Sequence, residues 1–428
     1  MFENKKDRQI IKLPFGFRDI LPSETKERNK IKEIIGSEFR IWGYGEVNTP
    51  VAEYTKNISI GAGKNWKDKL ISFFDVDSSP VSLRSDMTIP IARLAGMRIK
   101  KEQLPVRFCY FADSFRQSGT QKGISRVYNQ AGIELIGSST PMVDSEILII
   151  LVNILNRLKI GNYTIGLGNV GFIEGLCDWF NLDIKEREFI KKKIITRDFV
   201  TLENFLGKKD KGKTKIFIKL MQPESSARNI SNLISGIEDE KIIRSFNYIK
   251  ELYDTIKKYG YSGNLVIDFS IIRDFDYYTG MLFEVYCSDV NNIIGSGGRY
   301  DGLIKKFGLD VPATGFALDV DLVHKAIGGL EKEEVLKILL KYRGLKNSPE
   351  FIKLVKTAGK LQEAGAVVEM CFEDKDNVLD FVRDKGYGLL VETGREFEKV
   401  RIKDVRKNIE KTKNINEFIE EINNGKWN

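Results

Sequence analysis

The chain has 428 residues, 42% hydrophobic and 30% charged, with a net charge of +8, which predicts two or three domains of an ordinary globular protein. No apolar run is long enough to cross a bilayer, and the charged start MFENKKDRQIIKLP lacks the apolar block of a secretory signal, so the expected place is the cytoplasm, away from membranes. Cys109, Cys177, Cys287 and Cys371 form no C-x-x-C pair, and His324 is the single histidine; this argues against a disulfide framework, a zinc or other His-based metal site, and Ser-His or Cys-His nucleophile pairs.

Along the chain, Pro22 and Ser23 open a helix, with Ser23 as the expected cap and Glu24 in the first turn, where the helix dipole favours an anion. Ile31, Ile34, Ile35, Phe39 and Trp42 recur at helical spacing up to Gly43. GEVNTPVAEY (45–54) then reads as one strand with a proline near its end. Between 69 and 137, LISFFDVDS, PVSLRSD, VRFCYFADSFR and NQAGIELIG read as short strands around a helix near 88–97, a spacing that favours a largely antiparallel sheet. A helix is predicted over about 141–158, with Asp144 and Glu146 in its first turns. From about 172 to 260 the pattern is helical and Lys-rich. Strands resume at NLVIDFSII, GMLFEVYCS and ATGFALDVDLV, so a helical insertion splits the sheet. His324, in DVDLVHKAIGG, is read as a structural residue of a helix.

A composition shift at GGLEKEEV (328–335) marks a domain boundary. Beyond it, VLKILLKY, AVVEMCF, YGLLVET and EKVRIKD alternate with helices near 348–364 and 376–385, the pattern of a small α/β domain. The expected domains are therefore 1–330, carrying the insertion, and 331–428. The basic surplus sits mainly in the insertion: residues 183–260 hold 18 Lys and Arg against 12 Asp and Glu, whereas 331–428 hold 20 against 19. KKDKGKTK (208–215) reads as a solvated helical face rather than a nucleic-acid footprint.

Four segments carry polar groups that a sheet could bring together. LRSDMT supplies Asp86 and Thr88, SFRQSGTQKG supplies Arg116, and YNQAGIELIG supplies Gln130 and Glu134. RDFDYYTG and GSGGRYDG together supply Arg273, Tyr277, Tyr278 and Tyr300; the second of these, taken alone, reads as a glycine-rich turn. Such a set matches the demands of a free amino acid. Its carboxylate takes a guanidinium, its ammonium takes acceptors, and an aromatic side chain takes ring walls with a polar tip.

In this order the segments resemble histidyl-tRNA synthetase, a class II synthetase, over residues 14 to about 325. FGFRDILPSE resembles the family's entry to its first long helix, and GYGEVNTPVAEY is similar to class II motif 1. VRFCYFADSFRQSGTQKGISRVYNQAGIELIG is similar to motif 2, and IIRDFDYYTGMLFE and GGRYDGL to the two histidine-specific signatures. The resemblance implies an α+β fold, with a class II antiparallel sheet, flanking helices and dimers. It implies that Asp86, Thr88 and Gln130 hold the ammonium of histidine, Arg116 and Arg273 its carboxylate, and Glu134 and Tyr278 its imidazole, with Tyr277 beside them and Tyr300 closing the pocket.

The ATP side departs from the synthetase pattern. Leu322 stands on the motif 3 arginine, Ser118 on the motif 2 glutamate and Ile124 on a motif 2 loop arginine. LRSDMTIPIARLAG, with a D-M-T, is similar to the regulatory subunit of ATP phosphoribosyltransferase, a synthetase paralogue. That resemblance implies a non-catalytic subunit without cofactor or metal. It would activate a short-form catalytic subunit and carry feedback by L-histidine in the first step of histidine biosynthesis. Asp274 beside Arg273, where the signature has glycine, is expected to weaken histidine binding by local pairing. The nearly neutral C-terminal domain resembles a relic of an anticodon-binding domain, so nucleic acid is not an expected partner. The alternatives are a working histidyl-tRNA synthetase, and a synthetase-like module with an RNA or kinase partner.

Overall fold

The computed structural model describes residues 12–62, 66, 69–117, 125–261, 263–272, 277–329, 335–342, 349–371, 378–393 and 398–427. The chain divides into two compact units, Met1–Leu330 and Glu331–Asn428. In chain order the first unit runs α1 (Pro22–Ile41), β1 (Gly45–Glu46), β2 (Ala52–Tyr54), α2 (Thr55–Ala62), β3 (Ser72–Phe74), β4 (Pro80–Leu83), α3 (Thr88–Arg98), β5 (Val106–Phe115), β6 (Val127–Ile136), α4 (Pro141–Arg157) and β7 (Tyr163–Asn169). Six helices follow: α5 (Val170–Trp179), α6 (Ile184–Ile195), α7 (Phe199–Gly207), α8 (Lys211–Leu220), α9 (Ala227–Ile234) and α10 (Glu240–Lys258). The unit ends with β8 (Asn264–Ile267), β9 (Met281–Cys287), β10 (Asn292–Arg299), β11 (Ala313–Asp319) and α11 (Val320–Ile327).

Eight strands form one sheet in the order β1-β5-β6-β11-β10-β9-β7-β8. The pairs β1–β5 and β7–β8 are parallel and the others antiparallel, so the sheet is antiparallel through its centre and parallel at both ends. One face carries the main apolar core. Ile31, Ile35 and Phe39 of α1 sit at i, i+4 and i+8 and are all 0% exposed. They meet Ala131, Ile133 and Leu135 of β6 and the apolar face of α4. Each such side chain contributes about 1.5–3 kcal/mol on burial. The period of two then sends Gln130 and Glu134 to the opposite face. There a second apolar cluster, built from α2, α3 and the chain after β10, surrounds the polar residues.

Three sequence expectations change locally. GEVNTPVAEY is two short strands in different sheets, because β1 pairs with β5 while β2 joins the separate order β2-β4-β3; Pro50, lying between them, has no N–H to continue a ladder. Ser23 does not cap α1: the helix begins at Pro22 after Leu21, without a side-chain cap bond. GSGGRYDG is not a glycine-rich turn. Its first half belongs to β10, in the interior of the sheet between β9 and β11. Glycine is required there by close approach, since a Cβ on Gly297 would lie 2.3 Å from the Gly315 carbonyl oxygen and 2.6 Å from the Phe283 ring.

The helices between β7 and β8 pack their own apolar faces into the main core, with Phe246, Ile249, Leu252 and Ile256 of α10 buried. KKDKGKTK spans the start of α8. Asp210 caps that helix from the Gly212 and Lys213 amides, while Lys208, Lys211 and Lys215 face solvent.

The second unit runs β12 (Lys337–Tyr342), α12 (Pro349–Glu363), β13 (Val367–Cys371), α13 (Val378–Asp384), β14 (Leu389–Thr393), β15 (Lys399–Asp404), β16 (Ile409–Asn414) and α14 (Ile415–Asn423). Its sheet, β13-β12-β14-β15-β16, is parallel across the first three strands and antiparallel after them. No described helix of either unit is long and apolar enough to cross a membrane, and no group of three or more His, Cys, Asp or Glu among the described residues is placed to hold a metal.

Candidate functional site

The second face of the large sheet holds a cavity lined by Asp86, Met87, Thr88, Tyr110, Arg116, Gln130, Glu134, Tyr277, Tyr278, Ser296, Gly297, Tyr300, Gly315, Phe316 and Ala317. Eight of the nine candidate residues are in that lining. The ninth, Arg273, lies outside the described residues, as do Asp274, Ser118 and Ile124. The fold explains the convergence. Asp86 and Thr88 stand at the start of α3, Arg116 follows β5, and Gln130 and Glu134 share one face of β6. Tyr277 and Tyr278 precede β9, and Tyr300 follows β10.

Glu134 is the centre of the polar set. The Thr88 hydroxyl donates to its Oε1 at 2.8 Å and the Tyr300 hydroxyl to its Oε2 at 2.5 Å. Both hydroxyls hold the charged form, but burial outweighs them and Asp86 adds repulsion, so the Glu134 carboxyl is pushed up to about 8. Gly315 makes the room, because a Cβ there would sit 1.9 Å from Glu134 Oε2. Asp86 is also held above the usual carboxylate range, by burial first, against the Ile89 amide it accepts at 2.9 Å and the nearby Arg116 charge.

Arg116 donates its Nε to the Ser85 carbonyl at 3.0 Å. Its guanidinium lies over the rings of Tyr128 and Trp66, at 4.8 and 5.6 Å, so the charge is held in place by aromatic faces. The three tyrosines pack as a wall, with ring centres 4.7 Å apart for Tyr277–Tyr278 and 6.0 Å for Tyr277–Tyr300. Among the described residues, two acceptors, Asp86 Oδ2 and Gln130 Oε1, are buried without a hydrogen-bond partner. Such an atom costs about 1–3 kcal/mol until a donor reaches it.

Sequence reasoning missed Tyr110, Ser296, Gly315 and the rest of the β11 floor. These positions read as ordinary strand residues, and only the sheet register puts them at the site: Gly315 of β11 opposite Glu134, Tyr110 of β5 opposite Gly132, and Ser296 of β10 opposite Ala317. It also missed the buried support behind Tyr300. Arg299 donates Nε and Nη2 to Asp144 at 3.0 and 2.9 Å, and Asp144 is 0% exposed.

A family model for histidyl-tRNA synthetase matches residues 16–323. The chain is 31% identical to an ATP phosphoribosyltransferase regulatory subunit of Desulforamulus reducens, over 80% of this chain and 87% of that one. It is 30% identical to the regulatory subunit of Symbiobacterium thermophilum, over 85% and 91%. Among solved structures, an ATP phosphoribosyltransferase regulatory subunit/histidyl-tRNA synthetase from Bacillus halodurans superposes with TM-score 0.79 at 24% identity, over 90% of this chain and 98% of that one. The histidyl-tRNA synthetase of Nostoc gives 0.78 at 19% identity, over 97% and 99%; these two likenesses show the class II synthetase fold. The match across the whole fold, together with the identity to the regulatory subunits, places this chain in the family of ATP phosphoribosyltransferase regulatory subunits, built on the histidyl-tRNA synthetase fold.

Proposed function

We propose that the chain is a non-catalytic subunit that activates a short-form catalytic subunit of ATP phosphoribosyltransferase and carries feedback by histidine through the cavity described above. The observation that carries the histidine reading is the pair of orphaned acceptors, Asp86 Oδ2 and Gln130 Oε1, in the same cavity as Arg116 and Glu134. An ammonium brings three N–H donors to the first pair, and a guanidinium suits the carboxylate of the same ligand. Thr88 and Tyr300 then orient Glu134 for the imidazole.

The motif 3 position supports the reading without activation chemistry. Stabilising charge on a transferred α-phosphate needs cations aimed at it. At the motif 3 position α11 offers Leu322, which packs against the main core and donates only its backbone N–H, to Asp319 at 3.1 Å. Feedback requires that histidine bind one state of the complex better than another. In this reading the chain works in the cytoplasm as a dimer through its first unit, and the second unit is a relic without a tRNA surface.

Mixing this chain with a short catalytic subunit tests the reading. Phosphoribosyl transfer to ATP appears only with both chains and falls as histidine is added. Histidine-dependent ATP–pyrophosphate exchange by this chain alone would refute it in favour of a working histidyl-tRNA synthetase.

A further inference from the structure

We propose that Glu134 and Tyr110 set the charge state of the ligand's side chain: they fit an uncharged ring with one bare nitrogen and one N–H, so the cavity takes a neutral imidazole and rejects an imidazolium. This deepens the amino-acid reading of the site and rests on it.

A buried carboxylate keeps its charge only beside a cation or several donors. Glu134 is 1% exposed. It has one hydroxyl on each oxygen, and among the described residues no cation pairs with it. Of the side chains that face it, Asp86 at the start of α3 repels a second negative charge. Arg116, after β5, is drawn to the Ser85 carbonyl and to the rings of Tyr128 and Trp66. Tyr110, Tyr277 and Tyr300 are held well above the ordinary phenol range, by burial first, and Tyr278 packs on Tyr277. Gly315, opposite on β11, carries no charge. With its carboxyl pushed up to about 8, Glu134 is neutral at pH 7. The proton belongs to one of two oxygens that each already accept a hydroxyl, so it points to the open side, the cavity.

Tyr110 supplies the second contact. It stands opposite Gly132, between Gln130 and Glu134 on β6. Its hydroxyl lies over that glycine, where a Cβ would come within 2.4 Å of it. It opens on the cavity and has no hydrogen bond to a described residue. A phenol oxygen that keeps its proton still accepts an N–H. A neutral imidazole therefore meets a donor at its bare nitrogen and an acceptor at its N–H. An imidazolium has two N–H groups and no bare nitrogen, so one of them faces the Glu134 proton.

Only the neutral ring and the protonated Glu134 are competent, so the apparent Kd rises as either fraction falls. The ring titrates at about 6.5 and Glu134 at about 8. Kd is then lowest at about pH 7 and rises about eightfold by pH 5.5, and as much again by pH 9.

The test uses the full chain as wild type, Glu134→Gln and Tyr110→Phe, each shown folded by circular dichroism at every pH. Kd is measured from pH 5.5 to 9, for histidine by calorimetry and for imidazole by NMR shift titration. Wild type should show both the acid and the alkaline rise with both probes. Glu134→Gln puts an amide N–H₂ in place of the titrating donor, so the acid rise stays and the alkaline rise seen with imidazole is lost. The ligand's own ammonium affects histidine binding to both proteins alike. Tyr110→Phe should keep both rises and lift Kd about fivefold at every pH. A wild-type Kd that falls steadily from pH 9 to 5.5 means imidazolium on an ionised Glu134 and overturns the proposal. So does an alkaline rise that Glu134→Gln leaves unchanged. A Tyr110→Phe Kd within twofold of wild type overturns the role of Tyr110. Imidazole bound with both rises, but histidine not bound, upholds the ring selectivity and defeats the amino-acid reading. Binding of neither defeats both.

Discussion

Glu134→Gln gives the sharpest test of the site's electrostatics. The wild-type carboxyl is buried and pushed up to about 8 from an ordinary 4.5. Between those two values the folded protein keeps a proton that the unfolded chain has lost. Stability from this group is therefore fully present below about pH 4.5 and is lost as pH rises through about 8. At about 1.4 kcal/mol for each pH unit, the loss across that window is on the order of 5 kcal/mol. Glutamine has no proton to lose, but its amide offers only one acceptor oxygen to two donating hydroxyls, so Thr88 or Tyr300 must turn. That costs about 1 kcal/mol at every pH. The variant should thus be slightly less stable than wild type at pH 5 and more stable by several kcal/mol at pH 9. Urea unfolding of both proteins at half-unit steps from pH 5 to 9 measures the difference, in which titrating groups remote from Glu134 cancel. A difference that stays constant over that range refutes the argument that burial controls this carboxyl.

Further outcomes follow from the same geometry. Asp144→Ala removes the two-point partner of the Arg299 guanidinium, whose side chain is 6% exposed, and leaves it Asp301 and the Ser138 carbonyl; the expected cost is about 3 kcal/mol in urea unfolding. Gly315→Ala places a methyl 1.9 Å from Glu134 Oε2 and 2.2 Å from the Ile133 carbonyl oxygen; calorimetry should show no histidine binding. Asp86→Asn leaves an amide N–H₂ facing the ligand's ammonium, and histidine Kd should rise at least tenfold while activation of the catalytic subunit without histidine persists.

The legible parts of the fold were those in which burial repeats along the chain. Helix α1 shows its apolar face at i, i+4 and i+8, β6 shows the alternation that separates Ile133 from Glu134, and both were read within a few residues of their ends. Strand β10 was not legible because three of its residues are glycines, chosen for the nearness of Gly315 and Phe283 rather than for strand propensity. Strand β7, which carries Gly166 and Gly168, was missed with it, and so was the break of 45–54 into two sheets, which depends on which strands the halves find.

The amino acids alone determined which chemical groups exist and their order along the chain. A chain with the series Asp86, Thr88, Arg116, Gln130, Glu134 carries the groups that the proposed amino-acid ligand needs. Only the tertiary structure decided what those groups do to one another. Tyr300 meets Glu134 across 166 residues, Arg299 meets Asp144 across 155, and Tyr248 meets Asp144 across 104. Contacts at such separation leave no period in the local sequence, because each is fixed by sheet register and helix packing. For the same reason a carboxylate that reads as an ordinary charge at position 134 is a buried acid in the folded protein.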